Sequence, residues 1–65
     1  MYNVFTRTWW RYNPDWPNGL EPHLGRKTYI AKNVTTEKMA QKLCSEYNDN
    51  NDAGRLSRKA EYEGV

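Results

Sequence analysis

The alternation of polar and apolar positions changes character four times along the chain. From Tyr2 to Tyr12 it is dense in β-branched and aromatic residues: Val4, Phe5, Thr6, Thr8, Trp9, Trp10 and Tyr12. Such side chains suit a pleated surface, which predicts a strand over 2–12. Side chains of a strand alternate faces. One face then carries Tyr2, Val4, Thr6, Thr8, Trp10 and Tyr12, and the other carries Asn3, Phe5, Arg7, Trp9 and Arg11. The pattern leaves open which of the two is buried. Alternation returns over 27–34, where Tyr29 and Ala31 alternate with Thr28, Ile30 and Lys32. That predicts a second strand, antiparallel to the first, as the other arm of a wide hairpin.

Between them, residues 13–26 hold Pro14, Pro17, Pro22, Gly19 and Gly25. Pro14-Asp15 and Pro17-Asn18-Gly19 are turn signals, so a long loop is predicted. Loops of this length in small domains are functional or mobile. Trp16, Leu20 and Leu24 offer anchors along it.

The period then becomes helical. Met39, Ala40, Leu43, Cys44 and Tyr47 form one apolar stripe, and Thr35 or Thr36 supplies a capping hydroxyl ahead of Glu37. This predicts a helix over 36–48, with Glu37 at the positive end of its dipole. The run of Asn, Asp and Gly over 49–54 predicts a turn. Leu56, Ala60 and Tyr62 share a parity that suits a short third strand over 55–62, although Ser57 could instead cap a short helix. A lone hairpin is marginal in water, so a third strand is favoured. The fold expected is a single small α+β domain, β-β-α-β. Its antiparallel sheet of two to three strands packs against one helix.

With 65 residues, the chain is near the lower size limit for an unaided core. Hydrophobic residues make up only 37%, and the aromatics, at 14%, must carry much of the burial. The single cysteine, Cys44, excludes an internal disulfide. No apolar run has the length of a membrane span or the layout of an export signal. A cytoplasmic protein without membrane contact is expected. The net charge of +2 is too small to declare a nucleic-acid binder. Charge is uneven, however: residues 1–34 hold five basic side chains against two acidic ones.

The chain has little with which to build a catalytic centre. It has one His, His23, in the loop, and its one Cys lies on the apolar stripe, where a thiol packs as a small hydrophobe. No metal-ligand spacing and no glycine-rich phosphate loop are present, so neither metal nor cofactor is expected. Binding residues are better represented. Phe5, Arg7, Trp9 and Arg11 alternate rings with cations on one strand face, and Lys27 extends it. Rings stack on bases while cations hold phosphates, which is how single strands of nucleic acid are bound. The competing reading packs Phe5 and Trp9 against the helix, with the arginines reaching outward. Trp16, between Pro14 and Pro17, is either a partner anchor or a lid over the open sheet face. Arg55, Arg58 and Lys59 form a basic cluster that Glu61 and Glu63 would dilute, which reads as a solvated surface.

The stretches Thr6-Arg7-Thr8-Trp9-Trp10-Arg11, Trp16-Pro17-Asn18-Gly19-Leu20-Glu21-Pro22 and Gly54–Tyr62 resemble short proteins encoded by bacteriophages and prophages. Such proteins share no agreed activity, so the resemblance carries over no site residue. It implies an accessory protein in a bacterial cytoplasm. The expected function is a non-enzymatic protein-binding accessory or modulator. Its contacts would be Trp9, Trp10, Arg11, Trp16 and Leu20, and its partner another protein or a second copy forming a homodimer. The alternative is a nucleic-acid-binding module using Phe5, Arg7, Trp9, Arg11 and Lys27.

Overall fold

The computed structural model describes residues 1–65 and has the α+β architecture expected. Its elements run β1 (Tyr2–Arg7), β2 (Trp10–Tyr12), β3 (Leu20–Pro22), β4 (Thr28–Val34), α1 (Glu37–Asn50) and β5 (Lys59–Gly64). A three-stranded antiparallel sheet has the order β4-β1-β5, and β2 pairs with β3 in a separate two-stranded ribbon. The ribbon prolongs the β1–β4 hairpin outward as an arm, and the molecule measures 43 × 23 × 13 Å.

The first strand, expected over 2–12, is broken at Thr8 and Trp9. The loop expected over 13–26 contains β3, because Tyr12, Arg11 and Trp10 find partners in Leu20, Glu21 and Pro22. The irregular tip is shorter than the expected loop. Asn18 and Gly19 both take positive φ, at 61° and 69°, and the Leu20 N–H donates back to the Pro17 carbonyl. An Asn-Gly pair tolerates this left-handed turn, and it reverses the chain tightly. Below the ribbon, Gly25 donates its N–H to the Thr8 carbonyl at 2.9 Å. A Cβ on Gly25 would clash with the Thr8 hydroxyl, so any other residue here must displace that side chain.

The covered face of the sheet is the even one. Val4, Ala40, Cys44 and Ala60 form the buried cluster, flanked by Tyr2, Ala31, Val34, Leu43, Tyr47 and Tyr62. Met39, placed on the stripe by its spacing, is half-exposed at the edge of the contact. Phe5 is therefore on the far side of the sheet from the helix, not against it. It is nonetheless only 3% exposed. Its burial comes from Tyr29, in an edge-on contact at 5.9 Å, and from the side chains of Lys27 and Arg7 above its ring.

Tyr29 and Ala31 do not share a face as simple alternation requires. Val4 pairs with Ala31 and Phe5 pairs with Tyr29, so one step on β1 spans two on β4. Ile30 is the extra residue of this bulge, which turns Ala31 to the helix and Tyr29 to the open face. A second irregularity lies between Tyr2 and Val4, where Asn33 adopts a φ of 58° and its N–H is held by the Asn3 side chain.

The helix starts as expected, with the Thr36 hydroxyl accepting the Met39 N–H. It runs two residues beyond the expected end at 48, to Asn50. The Asn50 and Asn51 side chains donate to the Glu46 and Tyr47 carbonyls, satisfying groups that a helix end leaves open. The turn expected over 49–54 shifts onto residues 51–58, and the third strand begins at Lys59 rather than 55. Asp52 accepts the Gly54 N–H, and Gly54 and Ser57 take φ of 70° and 53°. Left-handed backbone at those positions excludes a strand, and Ser57 caps no helix.

Candidate functional site

The break at Trp9 shapes the most distinctive surface. In a regular strand, consecutive N–H groups point to opposite sides. Here the N–H groups of Trp9 and Trp10 both donate to the Leu56 carbonyl, at 2.9 and 3.2 Å. The backbone coils at this point, so consecutive indoles that would face opposite ways share one groove. Its volume is about 500 Å³. Trp9, Trp10 and Pro22 line it from one side, and Ser57 of the preceding turn with Lys59, Ala60 and Glu61 of β5 from the other. Trp9 and Trp10 remain 38% and 37% exposed, a large apolar area for so small a chain.

The other expected partner contacts lie elsewhere. Trp16, 44% exposed, sits at the tip of the arm and does not cover the sheet as a lid. Leu20 is paired with Tyr12 in the ribbon. Arg11 forms an ion pair with Glu21 at 2.6 Å, and Asn13 adds a second hydrogen bond to the same carboxylate. These bonds hold the Glu21 carboxyl below its ordinary range and raise the Arg11 guanidinium. Of the five residues expected to contact a partner, the fold brings Trp9 and Trp10 together and leaves Arg11, Trp16 and Leu20 on the arm.

Of the residues expected to contact nucleic acid, the fold brings Phe5, Arg7, Trp9 and Lys27 together and leaves Arg11 on the arm, and their charged groups are already occupied. Phe5 is buried and has no free ring face. Arg7 stacks between Phe5 and Trp9, at 5.4 and 5.0 Å, and its guanidinium pairs with Glu61 at 2.8 Å. Lys27 covers Phe5 and pairs with Glu63 at 2.6 Å, while the Tyr29 hydroxyl donates to the same carboxylate. The hydrogen bond from Lys27 holds Glu63 below the ordinary carboxylate range, and the same bond raises Lys27. On the open sheet face Arg7 and Lys27 are thus committed to pairs with Glu61 and Glu63.

Arg55, Arg58 and Lys59, the basic cluster of the sequence, have no ion-pair partner. Arg55 donates to the Asn18 carbonyl and stacks over Tyr12, and Arg58 donates to the Thr6 hydroxyl. Glu61 and Glu63 do not dilute this cluster, because the strand register commits them to Arg7 and Lys27. Sequence reasoning missed Pro22, Ser57, Lys59, Ala60 and Glu61 as groove residues. The one signal, the basic run 55–59, covers only Ser57 and Lys59, and its meaning depends on the register of β5.

Cys44 is buried on the core side of α1, and burial pushes its thiol pKa up, which keeps it protonated. His23 is exposed on the arm, where its N–H donates to the Trp9 carbonyl. No three His, Cys, Asp or Glu side chains converge where they could hold a metal ion. No helix is long and apolar enough to cross a membrane. Comparisons with protein families, with curated proteins and with solved structures find no match to this chain.

Proposed function

We propose that this chain is a small protein-binding domain that works without catalysis, and that the Trp9–Trp10 groove is its contact surface. One observation carries the reading. Two adjacent indoles are held open to solvent in one concave site by a backbone arrangement that costs a regular strand. Trp is prominent among residues that dominate binding energy, and concave, partly apolar sites are where such residues act. Arg7, Arg11 and Lys27 are already paired with Glu61, Glu21 and Glu63, which argues against the nucleic-acid reading through Phe5, Arg7, Trp9, Arg11 and Lys27. Asn48 takes up the backbone groups of Ala60, which argues against a homodimer joined strand to strand at the start of β5. The resemblance to phage proteins fits an accessory or modulator role in a bacterial cytoplasm.

The test is selection from a displayed library of random peptides, carried out in parallel on the wild-type chain and on Trp10→Ala. Circular dichroism establishes that both are folded. The proposal expects enriched peptides on the wild type that lose affinity for the variant. A selection that enriches nothing on the wild type, or peptides that bind both chains equally, contradicts it.

A further inference from the structure

The chemistry of the groove narrows what it takes, if the protein-binding reading above holds. We infer that the Trp9–Trp10 groove binds an extended, proline-containing acidic segment of a partner protein, with Lys59 as its charge contact.

The shape argument starts from the edge of the sheet. β5 is an edge strand, and such strands recruit peptides by adding a further strand. At the groove this route is closed. The Asn48 side chain accepts the Ala60 N–H at 2.8 Å and donates to the Ala60 carbonyl at 3.3 Å. A ligand here therefore gains little from backbone ladder bonds. Polyproline II segments need none, because their backbone is solvated and three-fold, and they dock in aromatic-lined grooves. Two indoles and the Pro22 ring supply such a lining.

The charge argument starts from Lys59. The register sets it directly opposite Arg7, and like charges so placed cost stability. Arg7 turns to Glu61, which leaves Lys59 in the groove wall without an ion pair. Arg55 and Arg58 do not line the groove: Arg55 reaches Asn18 and Tyr12 on the arm and Arg58 reaches the Thr6 hydroxyl, so Lys59 is its one basic side chain. An acidic ligand completes this arrangement. Glu61 also lines the groove, with its charge compensated by Arg7. Its oxygens can accept a peptide N–H, and a phosphodiester backbone has no such donor. The Ser57 hydroxyl adds a donor for a carbonyl or a carboxylate. This mixture of donors and an acceptor favours a peptide over a nucleic acid.

The test is fluorescence anisotropy with three labelled probes. They are a synthetic peptide of Glu residues interspersed with Pro-Pro pairs, the same peptide with Lys for Glu, and an oligothymidylate. Each is titrated with the wild type, Lys59→Glu and Trp10→Ala. The inference expects the wild type to prefer the acidic peptide and to bind it less tightly as salt rises. Lys59→Glu should lose about tenfold or more in affinity, the size of one well-placed charge contact. It should also melt at or above the wild-type temperature, because a glutamate at 59 would face Arg7. Trp10→Ala should lose binding while remaining folded. Equal or tighter binding of the Lys peptide, unchanged affinity of Lys59→Glu, or no binding of the acidic peptide overturns the inference. The library selection then shows separately whether the protein-binding reading survives. Preferential binding of oligothymidylate overturns both.

Discussion

The Asn48 side-chain amide pairs with both backbone groups of Ala60, taking the place of a neighbouring strand. The contact joins the last turns of α1 to the start of β5 and keeps an edge strand from offering a complete row of free donors and acceptors. Asn48→Ala leaves the Ala60 N–H and C=O without their partner. A partly buried polar group left unpaired costs about 1–3 kcal/mol. Denaturant midpoints should fall accordingly, and sedimentation should show new self-association through the uncovered edge. A variant with unchanged stability that stays monomeric would show that the contact is incidental.

Phe5 is the main apolar side chain on the sheet face that the helix leaves uncovered, and charged stems bury it. Phe5→Ala removes a buried ring at a cost of about 3–5 kcal/mol. A domain of this size has little more than that to lose. The variant should show no cooperative thermal transition by circular dichroism at ordinary temperature. A Phe5→Ala chain that melts near the wild type would mean that the ring is not part of the folded core.

The close approach of Gly25 to Thr8 is the hinge between sheet and arm. Gly25→Ala places a methyl against the Thr8 hydroxyl and should destabilise the fold by roughly 1–3 kcal/mol, the cost of overpacking. Thr8→Ala in the same chain removes that hydroxyl and should recover part of the loss. A double-mutant cycle on urea midpoints measures the recovery. Strict additivity of the two changes would contradict the contact.

The ion pairs make stability depend on pH at both extremes. Glu63 and Glu21 have depressed folded-state values, so their contribution is complete above the ordinary value of 4.5 and is lost as pH falls through the folded values. Lys27 has a raised value, so its contribution is complete below 10.5 and is lost as pH rises through the folded one. Cys44 adds a loss above its ordinary 9.0, where the unfolded chain releases a proton that the buried thiol keeps. Melting temperature should therefore be flat near neutrality and fall on either side. Glu63→Gln should flatten part of the acid limb. An unaltered acid limb would remove Glu63 from the account.

Some of this was legible in the chain and some was not, for reasons that can be traced to particular residues. The helix could be read because its determinants are local: the Thr36 cap and the stripe Ala40, Leu43, Cys44 and Tyr47. Its two extra residues could not, because Asn50 and Asn51 act there as carbonyl caps, not as breakers. β3 was hidden because Pro22 and Gly25 read as loop, while its pairing depends on Tyr12, Arg11 and Trp10. The bulge at Ile30 reverses the parity of Tyr29 and Ala31, and no period within β4 announces it. The groove was the least legible feature. Trp9 and Trp10 share it only because the Leu56 carbonyl, distant in the chain, takes both their N–H groups. Lys59 is free only because the β5 register commits Glu61 and Glu63 elsewhere.

The most direct test of the central claim is the movement of the three indole N–H signals in a two-dimensional nitrogen–proton NMR spectrum when a selected peptide is added. The groove reading predicts that the Trp9 and Trp10 signals shift with saturation while the Trp16 signal, at the tip of the arm, stays in place. A shift confined to Trp16, or a bound peptide that leaves Trp9 and Trp10 unmoved, would contradict it.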